Sequence, residues 1–144
     1  MKRWLLAAFA VVSLLASGLA PAHADEAGTG EKSALQAIVS AQIAAFAHDD
    51  AATAYGFASP GIQGVFPSPD AFMAMVKNGY APIYRPRSVT FGELTETDAG
   101  PIQKVYVTGA DGEAFVALYT FQKQPDGSWK INGVTIVKDD SPTI

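Results

Sequence analysis

"GYAPIYRPRSV", residues 79–89, is where the chain changes its repeat. Before it, apolar residues recur every three to four positions; after it, they alternate. The first spacing belongs to a helix with one buried face, the second to a half-buried strand. Gly79 suits a helix end, while Pro82 and Pro86 push Ala81 and Arg85 toward extended backbone. The stretch therefore reads as a stiff, extended connector without helix, leading from a helix that ends at Asn78-Gly79 to a strand that begins at Ser88. That role explains the glycine and the prolines. It does not explain Tyr80, Tyr84, Arg85 and Arg87, the last two being the only arginines after residue 24.

Upstream of the connector, Ser33-x-x-Gln36 fits a capping box. Leu35, Ile38, Val39, Ile43 and Phe46 follow at helical spacing and predict a first helix over about Ala34–Ala47. Residues 25–33, opening "DEAGTGEK", read as a flexible lead-in. Asp49 or Asp50 caps a second helix over Ala51–Phe57. Ser59-Pro60 opens a short turn, and Ser68-Pro69 opens the helix that ends at Gly79 and turns Phe72, Met75 and Val76 inward.

Downstream, four strands are expected at Ser88–Leu94, Ile102–Thr108, Glu113–Gln124 and Trp129–Val137. "TETDAGP", "GADG" and "PDGS" supply the turns between them. Asn132-Gly133 marks a bulge in the fourth strand. The third strand carries Phe115, Ala117, Tyr119 and Phe121 on one face and Val116 and Leu118 on the other, as a central strand does. Helices followed by an antiparallel meander predict a single α+β domain over residues 34–138, helices on one sheet face, with a tail at 139–144.

Three runs carry a resemblance: "AFAHDDAATAYGFASPGIQ" (45–63), "FMAMVKNGYAPIYRPRSVTFG" (72–92) and "VTGADGEAFVALYTFQKQPDGSWKINGV" (107–134). Over about residues 34–138 the chain resembles a bacterial exported family of unknown function, one grouped with the cone-shaped superfold of ketosteroid isomerase, nuclear transport factor and the SnoaL-like cyclases. The resemblance implies N-terminal helices packed in the concave side of a strongly curved, four-stranded antiparallel sheet of the cystatin-like cone type. It also implies a pocket in the cone and a homodimer formed through the other sheet face. It carries no assigned activity, and fold alone supplies none.

The N-terminus bounds the compartment. Lys2-Arg3, an apolar run from Trp4 to Leu19 and small residues at Ala22 and Ala24 make a signal-peptide pattern over residues 1–24, with cleavage after Ala24. The run is interrupted by Ser13, Ser17 and Gly18, which argues against a retained membrane span. The expected location is periplasmic or secreted, without a stable membrane anchor after cleavage. Without Lys2 and Arg3 the ten basic residues fall to eight, against 14 acidic ones, a net charge of −6. That balance disfavours nucleic acid and anionic membrane surfaces as partners. There is no cysteine, so packing alone must hold an exported fold that disulfides often staple.

Motif chemistry is sparse. No Gly-rich phosphate loop, G-x-S-x-G elbow or H-E-x-x-H occurs, and no cofactor is expected. One histidine after residue 24, His48, and no cysteine make a zinc site a poor fit. His48 with Asp49 and Asp50 reads as a helix end and a cap rather than an acid–base cluster. An isomerase-type site needs a carboxylate base in an apolar cavity, and the strand acids Glu93 and Glu113 sit near strand ends.

Seven residues are candidates for ligand binding. Gln42 falls inside the apolar stripe of the first helix, where a buried amide must find partners, either backbone or ligand. Tyr106 and Tyr119 lie on adjacent strands, with one shared face the condition for lining a pocket together. Arg85 and Arg87, two apart on an extended segment, have the spacing of a carboxylate or phosphate clamp, or of two ion pairs with the protein's own acids. Tyr80 and Tyr84 flank them. The expected function is a non-catalytic binding or interaction domain for a small apolar or anionic ligand, acting as a homodimer. The alternatives are an isomerase- or cyclase-type enzyme with a tyrosine-lined cavity and an accessory subunit of an envelope complex.

Overall fold

The computed structural model describes the backbone of residues 22–141 and side chains from residue 28 onward. Among these residues five helices precede four strands. The helices are α1 (Ala22–Ala47), α2 (Ala51–Gly56), α3 (Pro60–Val65), α4 (Pro69–Gly79) and α5 (Ala81–Tyr84). The strands are β1 (Ser88–Thr97), β2 (Gly100–Thr108), β3 (Ala114–Lys123) and β4 (Trp129–Lys138), antiparallel throughout in the order β1-β2-β3-β4. The architecture is the expected α+β fold with an open four-stranded antiparallel sheet. The signal segment expected at 1–24 lies outside the described residues but for its last three, where α1 begins, and so does the end of the C-terminal tail.

The helix starts follow from local chemistry. Asp50 accepts from the Thr53 amide at 3.2 Å, Ser59 from Ile62 at 3.4 Å and Ser68 from Ala71 at 3.1 Å. Each ties down an amide that its helix leaves unpaired. Pro60 and Pro69 then occupy the first turn, where their missing N–H costs nothing. One stripe of α1 (Leu35, Val39, Gln42, Ile43 and Phe46) is buried against α2 and the sheet.

Three expectations need correction. Helix α1 starts about three turns early, so residues 25–33 are helical rather than an irregular lead-in, and Ser33 and Gln36 are interior positions instead of a capping box. A helix nucleated by a buried stripe extends cheaply through good formers such as Glu31 and Lys32. The connector is not extended throughout: α5 takes residues 81–84, with Pro82 in its first turn, and Arg85 leaves it at φ −143°. Proline forbids a helix interior and not a helix start. The β1–β2 connection is a tight turn at Asp98-Ala99 rather than a seven-residue loop. The Thr97 hydroxyl accepts from the Ala99 amide at 3.1 Å and donates to the Gly100 carbonyl at 2.7 Å.

Two bulges shape the sheet. In β1 the register shifts between Phe91 and Leu94; in β4 Asn132 is the extra residue, since Phe121 faces Ile131 while Thr120 faces Gly133. Bulged strands bend, and the bulge expected at Asn132-Gly133 is present. The hairpin glycines Gly112 and Gly127 have φ of +90° and +89°, which explains why the Asp-Gly turns carry glycine there. Edge strand β4 is capped at one end by the chain before α3. The Ser59 amide donates to the Ile131 carbonyl and the Ile131 amide to the Phe57 carbonyl, both at 2.8 Å. Beyond Ile131 that cover stops.

Candidate functional site

A half-open cavity of about 420 Å³ lies where the cover of β4 stops. Its walls come from α1 (Gln42, Phe46), the α2–α4 region (Ile62, Phe72) and β4 (Ile131, Val134), with Tyr80 and Ile83 from the connector. Helix α3 is held in place as one wall. The Tyr55 hydroxyl donates to the Phe66 carbonyl at 2.6 Å, and the Gln63 amide donates back to the Tyr55 carbonyl at 2.9 Å. The Phe72 ring is the hub of the aromatic wall, 6.2 Å from Phe46, 5.7 Å from Tyr55 and 6.1 Å from Phe66 between centroids. At the rim, Asn132 Oδ1 accepts from Ser59 Oγ at 2.7 Å, which joins the bulge to the start of α3. Among the described residues no wall residue is an acid, a histidine, a lysine or an arginine.

Of the seven candidates, the cavity gathers two, Gln42 and Tyr80. Gln42 is 2 % exposed and donates through Nε2 to the Ala54 carbonyl at 3.0 Å. Tyr106 and Tyr119 do not share a face. Paired residues of β2 and β3 share number parity (Tyr106 faces Val116, Gln103 faces Tyr119), so an even and an odd residue point opposite ways. Tyr119 is in the core at 0 % exposure; Tyr106 is 40 % exposed on the outer face, its ring over Gly92. Burial pushes the Tyr119 hydroxyl well above the ordinary tyrosine range.

The two arginines also part. Arg85 donates to Asp49 Oδ2 at 2.7 Å, and Arg87 donates to the Ala110 carbonyl at 3.0 Å beside Gly112. They form no joint clamp, because each is held by a different part of the protein, Arg85 by Asp49 and Arg87 by the Ala110 carbonyl. Asp49, at φ +53°, collects the connector: it accepts from the Tyr84 hydroxyl and from Arg85, with Lys77 Nζ at 3.8 Å. The hydrogen bond from Tyr84, with the charges of Arg85 and Lys77, holds its carboxyl below the usual carboxylate range against an opposing desolvation. His48 sits on the last turn of α1, its Nδ1 2.8 Å from the Ala44 carbonyl, so that nitrogen carries the proton. Among the described residues no three His, Cys, Asp or Glu side chains converge.

A family model described as a domain of unknown function, DUF4864, matches residues 29–144, which take in most of α1 and every later helix and strand. The chain belongs to that family. No curated protein and no solved structure matches it. The family span takes in every wall of the cavity and the Asp49 latch.

Sequence reasoning missed Gln103. It is fully buried, and its Nε2 donates to the Gly92 carbonyl at 2.9 Å and the Lys104 carbonyl at 2.8 Å, while Oε1 accepts from Gln36 at 3.3 Å. It plugs the β1 bulge, where a lost ladder bond leaves carbonyls to satisfy. The signal was present in phase alone: Gln103 alternates with the inward residues Val105 and Val107.

Proposed function

We propose that this domain is a non-catalytic, exported binding protein whose small ligand sits in the cavity beside β4. The observation that carries the reading is the cavity itself, about 420 Å³ with predominantly apolar walls and one buried amide. That is the size and make-up of a small-molecule site. Walls without a carboxylate or imidazole favour holding a molecule over moving its protons, which weighs against the isomerase reading. The helices-on-sheet arrangement supports kinship with the ketosteroid isomerase-like cone. The export part rests on the pattern of residues 1–24, and N-terminal sequencing of the secreted or periplasmic protein is expected to begin at Asp25.

The test of the site is fluorescence titration with N-phenylnaphthylamine, an uncharged apolar dye that brightens in a dry pocket. Saturable enhancement is expected for the unaltered protein, and its loss in Met75→Trp, which fills the half-buried wall of α4. No enhancement, or equal enhancement in the folded variant, refutes the reading.

A second copy of the chain is the partner this reading includes. Tyr106, Val116 and Val137 stand in register across the outer sheet face, with Tyr106 40 % and Val137 48 % exposed. The outward residues Ile102, Lys104, Tyr106, Val116, Leu118 and Val137 include one charge, Lys104, so two copies meet there with little repulsion. Light scattering is expected to give a dimer, and Val137→Glu a monomer. A monomer at every concentration tested refutes the pairing.

A further inference from the structure

Resting on the cavity reading, we infer the ligand's class: an uncharged, mainly hydrocarbon molecule with one hydroxyl or N–H group that donates to Gln42 Oε1.

Gln42 fixes the polarity of the site. A carbonyl oxygen only accepts, so the contact with Ala54 requires the NH₂ end of the Gln42 amide there and turns Oε1 away from it. Among the described residues Gln42 makes its side-chain hydrogen bond through Nε2, and none is made to Oε1. Nor is that oxygen sealed in the core, because the Tyr119 hydroxyl is the one buried side-chain polar atom among them that lacks a partner. Gln42 is 2 % exposed overall and lines the cavity. The cavity is the space that Gln42 lines, and on this inference Oε1 points into it. The tether to Ala54 holds the acceptor in place, so little freedom is lost when a donor meets it.

The remaining walls narrow the choice. Thr120 Oγ1 is turned to the Gly133 carbonyl at 3.4 Å, and Asn132 sits at the exposed rim. Neither arginine of the connector lines the cavity; Arg85 is paired with Asp49 and Arg87 with Ala110. A carboxylate ligand would lose its water with no cation to meet it and would face the lone pairs of Oε1. An uncharged donor gains one hydrogen bond, and the hydrocarbon remainder is covered by Phe46, Phe72, Ile131 and Val134. Met75, unbranched and polarisable, adapts the wall to the ligand's shape.

The experiment is displacement of N-phenylnaphthylamine from the unaltered protein, near neutral pH, by three compounds on one ring skeleton: naphthol, methoxynaphthalene and naphthoate. Naphthol offers a donor, methoxynaphthalene has the same body without one, and naphthoate is charged. Naphthol is expected to displace the dye at about tenfold lower concentration than methoxynaphthalene, the worth of one neutral hydrogen bond. Naphthoate is expected to be the weakest. In Gln42→Met the two uncharged compounds should converge, with a thermal melt to show that the variant folds; the comparison on the unaltered protein stands without it. Equal displacement by naphthol and methoxynaphthalene overturns the donor assignment, and naphthoate matching naphthol overturns the uncharged class. Either result leaves dye binding intact and so spares the cavity. Absence of dye binding refutes the cavity and this inference together.

Discussion

Replacing Tyr119 with phenylalanine is expected to stabilise the protein. The ring is at 0 % exposure on the central strand β3, registered between Gln103 of β2 and Val134 of β4. Its hydroxyl has no partner among the described residues, and the neighbouring Gln103 amide is already committed to the β1 bulge and to Gln36. A buried unpaired hydroxyl costs about 1–3 kcal/mol of desolvation. Deleting one oxygen leaves a void of roughly 15 Å³, which at about 24 cal/mol per Å³ returns about 0.4 kcal/mol of that. The net gain is about 1 kcal/mol, or a rise of about 4 °C in melting temperature for a domain of this size. Urea denaturation at constant m-value, with a thermal melt beside it, measures both. A loss of about 1 kcal/mol or more in Tyr119→Phe would refute the reasoning, because it would mean that the hydroxyl has a partner such as a buried water.

Gln103→Leu should have the opposite sign, losing about 2–3 kcal/mol in the same urea assay, because the bulge carbonyls and Gln36 are left unpaired. Ser59→Ala should lose about 1 kcal/mol with the cap of α3, and should weaken dye binding as well, since the bond to Asn132 holds the cavity rim. For Asp49 the folded-state pKa lies below its ordinary value of 3.8, so its contribution is present above that value and is lost as pH falls through the folded pKa. Thermal melts across an acid series should therefore show Asp49→Asn less stable near neutral pH, with the gap to the unaltered protein closing below pH 3.8; asparagine keeps the positive φ, so a gap that stays open would disprove the electrostatic origin.

The helix starts were legible because a cap is local: Asp50, Ser59 and Ser68 each reach an amide three residues on. The bulge at Asn132 was legible for the same reason, since glycine in an apolar strand needs a local cause. What failed was long-range. The facing of Tyr106 and Tyr119 depends on the β2–β3 register, and one residue more or less in the hairpin would reverse it. The fate of Arg85 depends on Asp49, 36 residues away and in a left-handed conformation that no local spacing announces. Gln42 was visible as a misfit in its stripe. Whether its partner was backbone or ligand depended on where α2 lies, and the Ala54 carbonyl answers only for one end of the amide.

The bulge and the cavity adjoin. Segment 57–59 pairs with β4 at Ile131, and the extra residue Asn132 is tied to the start of α3 through Ser59. Just beyond it, Phe66, Phe72 and Met75 line the cavity together with Gly133 and Val134. Sequence signals usually read as imperfections, a glycine in a strand and a glutamine in an apolar stripe, thus stand on two walls of the same cavity. Each has a structural role as well, Gly133 at the bulge and Gln42 on the Ala54 carbonyl, so the same two positions shape the fold and border the cavity.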